Sequence, residues 1–321
     1  MPLAVLRSPE EWKARFSAAK RPAVVTIGNF DGCHRGHQQI LRRVVEQARA
    51  TNALSAVLTF FPHPARVLRP AEAPALLETL DQRLAAISAT GIEAALVMPF
   101  NLELAHVGPD EFVQRILVET MAAKSVLVGG NFRFGRGGAG DVKLLAELGR
   151  RWEFTAEIVA PVAESGVVIS STAIRTAIRE GRVEEARRML GRPYALAGEI
   201  RTGTGQGRKL VVPTLNLATG QEVLPKNGVY ATEAVVAGKT YRAATNVGTR
   251  PTFDGGTRIT IESHLLDFSD NLTSGPLEIR FWQRLRDERK FSGPAELREQ
   301  VLRDIEQAKK FFQAAGTSRA N

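Results

Sequence analysis

The sequence predicts an α/β protein in two parts: a parallel sheet with helices on both faces, then an antiparallel β-barrel closed by a C-terminal helix. Three observations carry this. The chain has 321 residues, about twice the ~100 to 200 of one domain. Up to about residue 190, apolar strand-like runs alternate with segments of helical spacing, the pattern of a parallel sheet. From about Arg192, short β-like segments are separated by clusters of Gly, Pro, Asn and Asp, the pattern of an antiparallel barrel.

In chain order, Val24 to Ile27 is an apolar run ending at Gly28. Gln38 to Ala50 then sets Ile40, Leu41, Val44, Val45 and Ala48 at helical spacing. The same unit repeats as a strand at Ala53 to Phe60, a helix at Asp81 to Thr90, a strand at Ala94 to Met98, a helix at Pro109 to Met121 and a strand at Ser125 to Val128. Ligands of such sheets bind beyond the carboxyl ends of the strands, so the loops after Ile27, Phe60, Met98 and Val128 are expected to converge. The second part has β-like segments at Ala195 to Ile200, Gly228 to Val236, Tyr241 to Val247 and Arg258 to Leu266. It ends in a helix, Pro294 to Ala314, striped by Leu297, Val301, Leu302, Ile305 and Phe311. A boundary after a helix spanning Thr172 to Leu190, near Gly191-Arg192-Pro193, divides the chain into domains 1–190 and 191–321.

Composition narrows the function classes. With 44% hydrophobic and 24% charged residues the chain is an ordinary globular protein, and no run approaches the ~18 apolar residues of a membrane span. A single Cys33 excludes an intrachain disulfide, and the early Arg7, Glu10 and Glu11 interrupt any signal-like apolar core, so a cytoplasmic setting is expected. The 43 basic against 34 acidic residues give a net charge of +9, which suits an anionic partner, either nucleic acid or a phosphate-bearing small molecule. Basic residues are scattered and aromatics make up only 7%, which lacks the clustered patch and stacking platforms of a nucleic-acid binder.

The first chemistry-bearing stretch is Gly28-Asn29-Phe30-Asp31-Gly32-Cys33-His34-Arg35-Gly36-His37, where the first strand turns into a helix. Its glycines allow a tight turn and close ligand approach. His34 and His37 stand at a helix N-terminus, where unpaired N–H groups and the helix dipole favour anions, so two imidazoles there suit phosphoryl or nucleotidyl transfer. An isolated pair of this kind fits a helix cap equally well. His63, between Pro62 and Pro64, is held in a stiff loop that suits either a ligand contact or a turn. Asn131 follows Gly129-Gly130 at a strand end, and Ser170, Ser171 and Thr172 precede a helix whose first turn carries Arg175. Those hydroxyls are helix caps or, with the Arg, a phosphate clamp.

The run T-I-G-N-F-D-G-C-H-R-G-H resembles the H-x-G-H signature of nucleotidyltransferases, in the version of the bacterial bifunctional riboflavin kinase and FAD synthetase family. T-F-F-P-H-P at 59–64, G-G-N-F-R-F-G at 129–135 and I-S-S-T-A-I-R at 169–175 match that family's later blocks in order. The resemblance implies a Rossmann-like nucleotidyltransferase domain that adenylylates FMN. It implies that ATP is held there by Gly28, Phe30, Asp31, His34, His37, His63, Asn131, Ser171, Thr172 and Arg175, with the two histidines catalytic. Val168 stands where some relatives carry a basic residue.

In the second part, Gly203 to Leu210 is a glycine-rich loop with Gly207, Arg208 and Lys209, followed by Pro213-Thr214-Leu215-Asn216. Such a loop is either a phosphate cradle or a flexible hairpin tip. Thr214 and Asn216, two apart in an extended segment, share one face and offer oxygen ligands to an ATP-bound Mg²⁺. Leu215 points oppositely, into the barrel. Glu262, in the alternating stretch Thr260 to Asp267, is placed on an inward face as a general base, or else is an exposed strand residue. These blocks are similar to those of riboflavin kinase, which implies Glu262 as base, Gly207, Arg208, Lys209, Thr214 and Asn216 around ATP, and Mg²⁺ on Thr214 and Asn216. Val211 and Leu215 replace a usual Gly and Ala. Riboflavin, FMN and ATP are the implied partners and FMN and FAD the products, with no nucleic acid and no membrane. An adenylyltransferase with an impaired kinase module and a basic nucleic-acid-binding protein are the alternatives.

Overall fold

The structure is a computed structural model that describes residues 2–16, 21–164, 166–201, 212–251, 257–268 and 272–317. The chain divides into two compact units, Met1–Ser171 and Thr172–Asn321. That division falls earlier than the expected 190/191 boundary, because the two helices before Arg192 are counted with the barrel.

The first unit is a parallel sheet of six strands, β1 Ala4–Leu6, β2 Ala23–Ile27, β3 Leu54–Phe61, β4 Ala94–Pro99, β5 Ala123–Gly129 and β6 Thr155–Val159, in the order β1-β4-β3-β2-β5-β6. All five residues of β2 are buried, as in a central parallel strand covered on both faces. Alternate side chains go to opposite layers. Val25, Ile27, Ala56, Leu58, Leu96 and Met98 join one apolar core, and Val24, Val57, Ala95 and Val97 join the other. The helices are α1 Pro9–Phe16, α2 Arg35–Ala50, α3 Pro64–Leu68, α4 Leu80–Ser88, α5 Leu102–His106, α6 Pro109–Phe112 and α7 Val142–Arg151. The expected helix at Pro109 to Met121 widens after Phe112, with Glu119 N–H bonding Gln114 O and Met121 N–H bonding Ile116 O, each five residues back. A minor hairpin, β7 Ala163–Glu164 with β8 Val167–Val168, completes the unit. Strand order runs β2, β3, β4 one way and β5, β6 the other, so the crevice at the carboxyl ends of β2, β3 and β5 is the topological switch point where such sheets bind ligands.

The second unit begins at Thr172, within α8 Ser171–Arg179, and continues with α9 Val183–Leu190. A closed antiparallel barrel follows, built from β9 Tyr194–Arg201, β10 Leu215–Ala218, β11 Gly228–Val236, β12 Lys239–Pro251, β13 Thr257–Leu265 and β14 Pro276–Asp287, in the order β10-β13-β12-β11-β14-β9. The sequence reading missed β14, although Leu277, Ile279 and Phe281 alternate there and are fully buried. The last helix, α10 Pro294–Thr317, lays Ile305, Ala308 and Phe312 on Ala231, Ala244 and Leu266 of the outer barrel wall. Inside the barrel, Thr232, Thr245 and Ser263 are buried and share hydroxyl hydrogen bonds of 2.6 and 2.7 Å, which satisfies polar groups that burial would otherwise penalise.

Candidate active sites

The first site is the turn between β2 and α2. Phe30 and Cys33 take positive φ values of 52° and 34° with Gly32 at 82° between them, so the chain curls tightly before α2 begins. The curl turns Asp31 inward, where it is 3% exposed and its carboxylate accepts the Leu77 N–H at 3.0 and 3.2 Å. The Asp31 carbonyl accepts the Ser171 hydroxyl at 2.9 Å. His34 is the N-cap of α2, its Nδ1 accepting the His37 N–H at 3.3 Å. A Cβ at position 36 would lie 3.2 Å from the His34 ring, so Gly36 leaves room for that cap. The His34 and His37 rings stack with centroids 3.6 Å apart, and the buried Phe30 meets His37 edge-on. Desolvation holds His37 well below the usual histidine range, with the nearby His34 and Arg83 acting in the same direction. His37 is therefore a neutral imidazole at the N-terminus of a 16-residue helix, and its buried Nδ1 has no hydrogen-bond partner among the described residues.

Beside this turn lies a cavity of about 300 to 400 Å³, ≈ 360 Å³, lined by Gly28, Asn29 and Asn131 and by the aromatic residues Phe60, Phe100, Phe112, Phe132 and Phe134. Phe132 stacks on Phe134, and Phe60 meets Phe100 edge-on. The loops after β2, β3, β4 and β5 converge here as expected. The aromatic lining went unread, because its residues are spread over one strand, two loops and one helix and no single stretch looks like a pocket.

The other expected residues of this group are placed as follows. His63 is the N-cap of α3, its Nδ1 accepting the Ala65 N–H at 3.1 Å; it is not among the cavity's lining residues. Ser171 starts α8 and bonds the Asp31 carbonyl. Thr172 and Arg175 follow one turn apart on that helix, within the second compact unit.

The second site lies on the outer wall of the barrel, and this corrects the inward placement of Glu262. Ile261, Ser263 and Leu265 are the buried, inward residues of β13, so strand alternation turns Glu262 and His264 outward. Asn216 of β10 pairs with Glu262, Glu262 with Asn246 of β12, Asn246 with Val229 of β11, and Val229 with Arg286 of β14. Directly opposed residues share a face, so this register lines up one amide, one carboxylate and a second amide. Glu262 and Asn246 line a cavity of ≈ 300 Å³ together with Thr214, Arg286, Glu288, Phe291, Leu297 and Val301; Asn216, one strand over, is not among its lining residues. His264 Nδ1 meets the Pro213 carbonyl at 2.9 Å, tethering the segment that leads into Thr214.

Arg286 makes a bidentate pair with Asp304 of α10 at 2.8 and 2.7 Å, and Gln300 donates to the same carboxylate at 2.8 Å. This pair fixes α10 as one wall of the cavity. Leu215 is buried on the inward face of β10, beside Ser263 in register, so its bulk stays out of the site. Gly207, Arg208, Lys209 and Val211 lie outside the described residues. Among the described residues, no helix is long and apolar enough to cross a membrane.

The chain thus combines a parallel-sheet unit carrying two histidines at a helix start with a closed barrel carrying a Thr/Asn/Glu face. Comparison with known proteins gives the family. The FAD synthetase family model matches residues 16–173 and the riboflavin kinase family model residues 190–312. The chain is 36% identical over 289 residues to the bifunctional riboflavin kinase/FMN adenylyltransferase of Pseudomonas fluorescens, covering 90% of this chain and 93% of that one. It is 35% identical over 296 residues to the protein of that name from Escherichia coli strain K12, covering 92% and 94%. The crystal structure of a macrolide-efflux protein from Streptococcus pneumoniae matches with a TM-score of 0.84 at 27% identity, covering 96% of this chain and 99% of that one. The chain belongs to the bifunctional riboflavin kinase/FMN adenylyltransferase family: it phosphorylates riboflavin to FMN and adenylylates FMN to FAD.

Proposed function

We propose that the two reactions are divided between the two halves of the chain, adenylyl transfer at the β2–α2 turn and phosphoryl transfer on the outer barrel wall, with the labour changing hands near residue 190. The observation that carries the first assignment is the stacked His34 and His37 pair at the α2 N-terminus beside the aromatic cavity. An oxygen of the FMN phosphate attacks the α-phosphorus of ATP, a new P–O bond forms, and pyrophosphate leaves with the bonding pair. No protein nucleophile is needed. The imidazoles and the α2 N–H groups donate to the crowded phosphate as charge builds on its oxygens. The Phe-lined cavity suits the flat, apolar isoalloxazine ring. Gly28 and Asn131 border it, and Phe30, Asp31 and His63 support it by bracing the turn and capping α3; the family's block at 169–175 assigns ATP phosphates to Ser171, Thr172 and Arg175.

The second assignment rests on the cross-strand row Asn216, Glu262, Asn246. Glu262 accepts the proton of the riboflavin 5′ hydroxyl as its oxygen attacks the γ-phosphorus of ATP and ADP leaves. Thr214 and Asn216 are neutral oxygen donors on the same face, a set that fits Mg²⁺ arriving with ATP. Bound there, the ion offsets charge on the phosphates. Gly207, Arg208 and Lys209 complete the grip on ATP. We place the protein in the cytoplasm, with riboflavin, FMN and ATP as partners and neither nucleic acid nor a membrane; the single, buried Cys33 suits a reducing compartment.

Purified protein given riboflavin, ATP and MgCl₂, with FMN and FAD resolved by chromatography, tests the division. Glu262→Gln should stop FMN formation and spare FAD formation from supplied FMN, and His34→Ala with His37→Ala should do the reverse. Loss of FMN formation in the histidine variant would overturn it.

A further inference from the structure

Arg83, on α4, takes no part in either reaction as described, yet its position is hard to explain by stability alone. Its side chain is fully buried, at 0% exposure. Its Nη1 donates to the Phe60 carbonyl at 3.4 Å, while Nε and Nη2 find no hydrogen-bond partner among the described residues. A guanidinium cannot shed its proton in a protein, and enclosing it with donors unused is costly. Natural cores rarely retain such a group without a reason.

The surroundings of Arg83 give that reason. The charges that stabilise it are Asp31, then Glu78, and Cys33 also favours it. Asp31 and Cys33 belong to the curled turn that delivers His34 and His37. Phe60, which holds its Nη1, ends β3 and lines the aromatic cavity. One sealed cation is thus hydrogen-bonded to the cavity wall at Phe60 and feels the charge of the histidine turn. Among the described residues, the titratable or charged groups that act on His37 are His34 from its own helix start and Arg83 from α4.

We propose that Arg83 is a positioning residue for adenylyl transfer: its buried charge clamps the Asp31–Cys33 turn against the end of β3 and sets the field in which His37 works. This rests on the assignment of His34 and His37 to that reaction. With the cation present, His37 stays neutral and keeps one ring position; without it, the turn loosens and the imidazole takes a proton more readily.

The test compares wild type, Arg83→Met and Arg83→Lys in FAD formation from FMN, ATP and MgCl₂, with kcat/KM followed from pH 5.5 to about pH 9. Arg83→Met should lose on the order of 10²-fold near neutrality, as a slight misplacement of a reacting group does. The acid limb of its profile should move to higher pH. Arg83→Lys, which keeps a cation beside Asp31 and Glu78, should hold the limb in place and recover most of the rate. Melting curves by circular dichroism report folding separately. A loss that is equal at every pH, or an Arg83→Lys protein that behaves as Arg83→Met does, means a merely structural residue and overturns the proposal. His37→Ala run alongside separates the two readings. FAD formation that survives His37→Ala sinks the histidine assignment and the proposal with it. Loss in His37→Ala with wild-type behaviour in Arg83→Met sinks the Arg83 role alone.

Discussion

The two proposed sites are built in opposite ways. At the first, the chemistry-bearing residues are neighbours in sequence: one ten-residue turn carries the glycines, Asp31 and both histidines, and a parallel sheet aims it at the switch-point crevice. At the second, Asn216, Glu262 and Asn246 are far apart in sequence and meet only because the barrel register sets them side by side. Their electrostatics differ as well. The first carries a depressed His37 and a sealed Arg83. The second is an outward-facing groove whose strong charge pair, Arg286 with Asp304, is already neutralised. A loop-built site is therefore sensitive to whatever holds the loop, whereas a strand-built site is sensitive to whatever holds the register and the covering helix.

The sharpest way to break this comparison is at the base of the second site. Glu262→Gln should lower FMN formation on the order of 10² to 10⁴-fold, with FAD formation from supplied FMN unchanged; kinase turnover near wild type would remove Glu262 from that role. Next, His34→Ala with His37→Ala should lower FAD formation about 10² to 10³-fold, the scale for lost stabilisation of developing charge, and leave FMN formation intact. The dependence of the second site on its covering helix is tested by Asp304→Ala. Asp304 is 3% exposed, and stranding Arg286 should cost about 3 kcal/mol, read as a lower denaturant midpoint for the barrel unit and as an α10 wall that no longer seals the groove.

A smaller effect comes from pH. The folded-state pKa of His37 is depressed, so below the ordinary histidine range the unfolded chain binds a proton that the native chain resists. Stability of the first unit should be complete above that range and fall as pH drops through it toward the depressed value. Replacing His37 by Asn should flatten this part of the melting-temperature profile, and an unchanged profile would show that another group carries it. Smallest of all is the capping box of α4, where Thr79 accepts the Gln82 N–H at 3.2 Å and Gln82 returns a bond to the Thr79 N–H at 3.0 Å. Thr79→Ala should cost about 1 kcal/mol. If Arg83 has the role argued above, it should also lower FAD formation slightly, because the cap sets where α4 begins.

Much of the first site was legible because its residues lie within one short stretch and their types report local geometry. Gly32 sits where φ is positive, Gly36 where His34 needs room, and the two histidines at a helix start. Arg83 was not legible. On the sequence it is one basic residue in an amphipathic helix, and only packing shows that this turn of α4 faces inward beneath the catalytic loop. Glu262, a candidate base in the sequence, was placed on the inward face, whereas the structure turns it outward. A strand of period two has two possible faces, and nothing in Thr260 to Asp267 says which one meets the barrel interior.

By itself, then, the sequence determined the class of each half, the alternation of its main strands and helices and the local chemistry of the His34–His37 turn, since these depend on periodicity and on residues close in the chain. The tertiary structure alone decided which side of β13 faces α10, that five phenylalanines from four separate segments line one cavity, and that Arg83 is sealed in the interior. Each of these depends on contacts between segments distant in sequence, which residue spacing along one strand or helix does not encode.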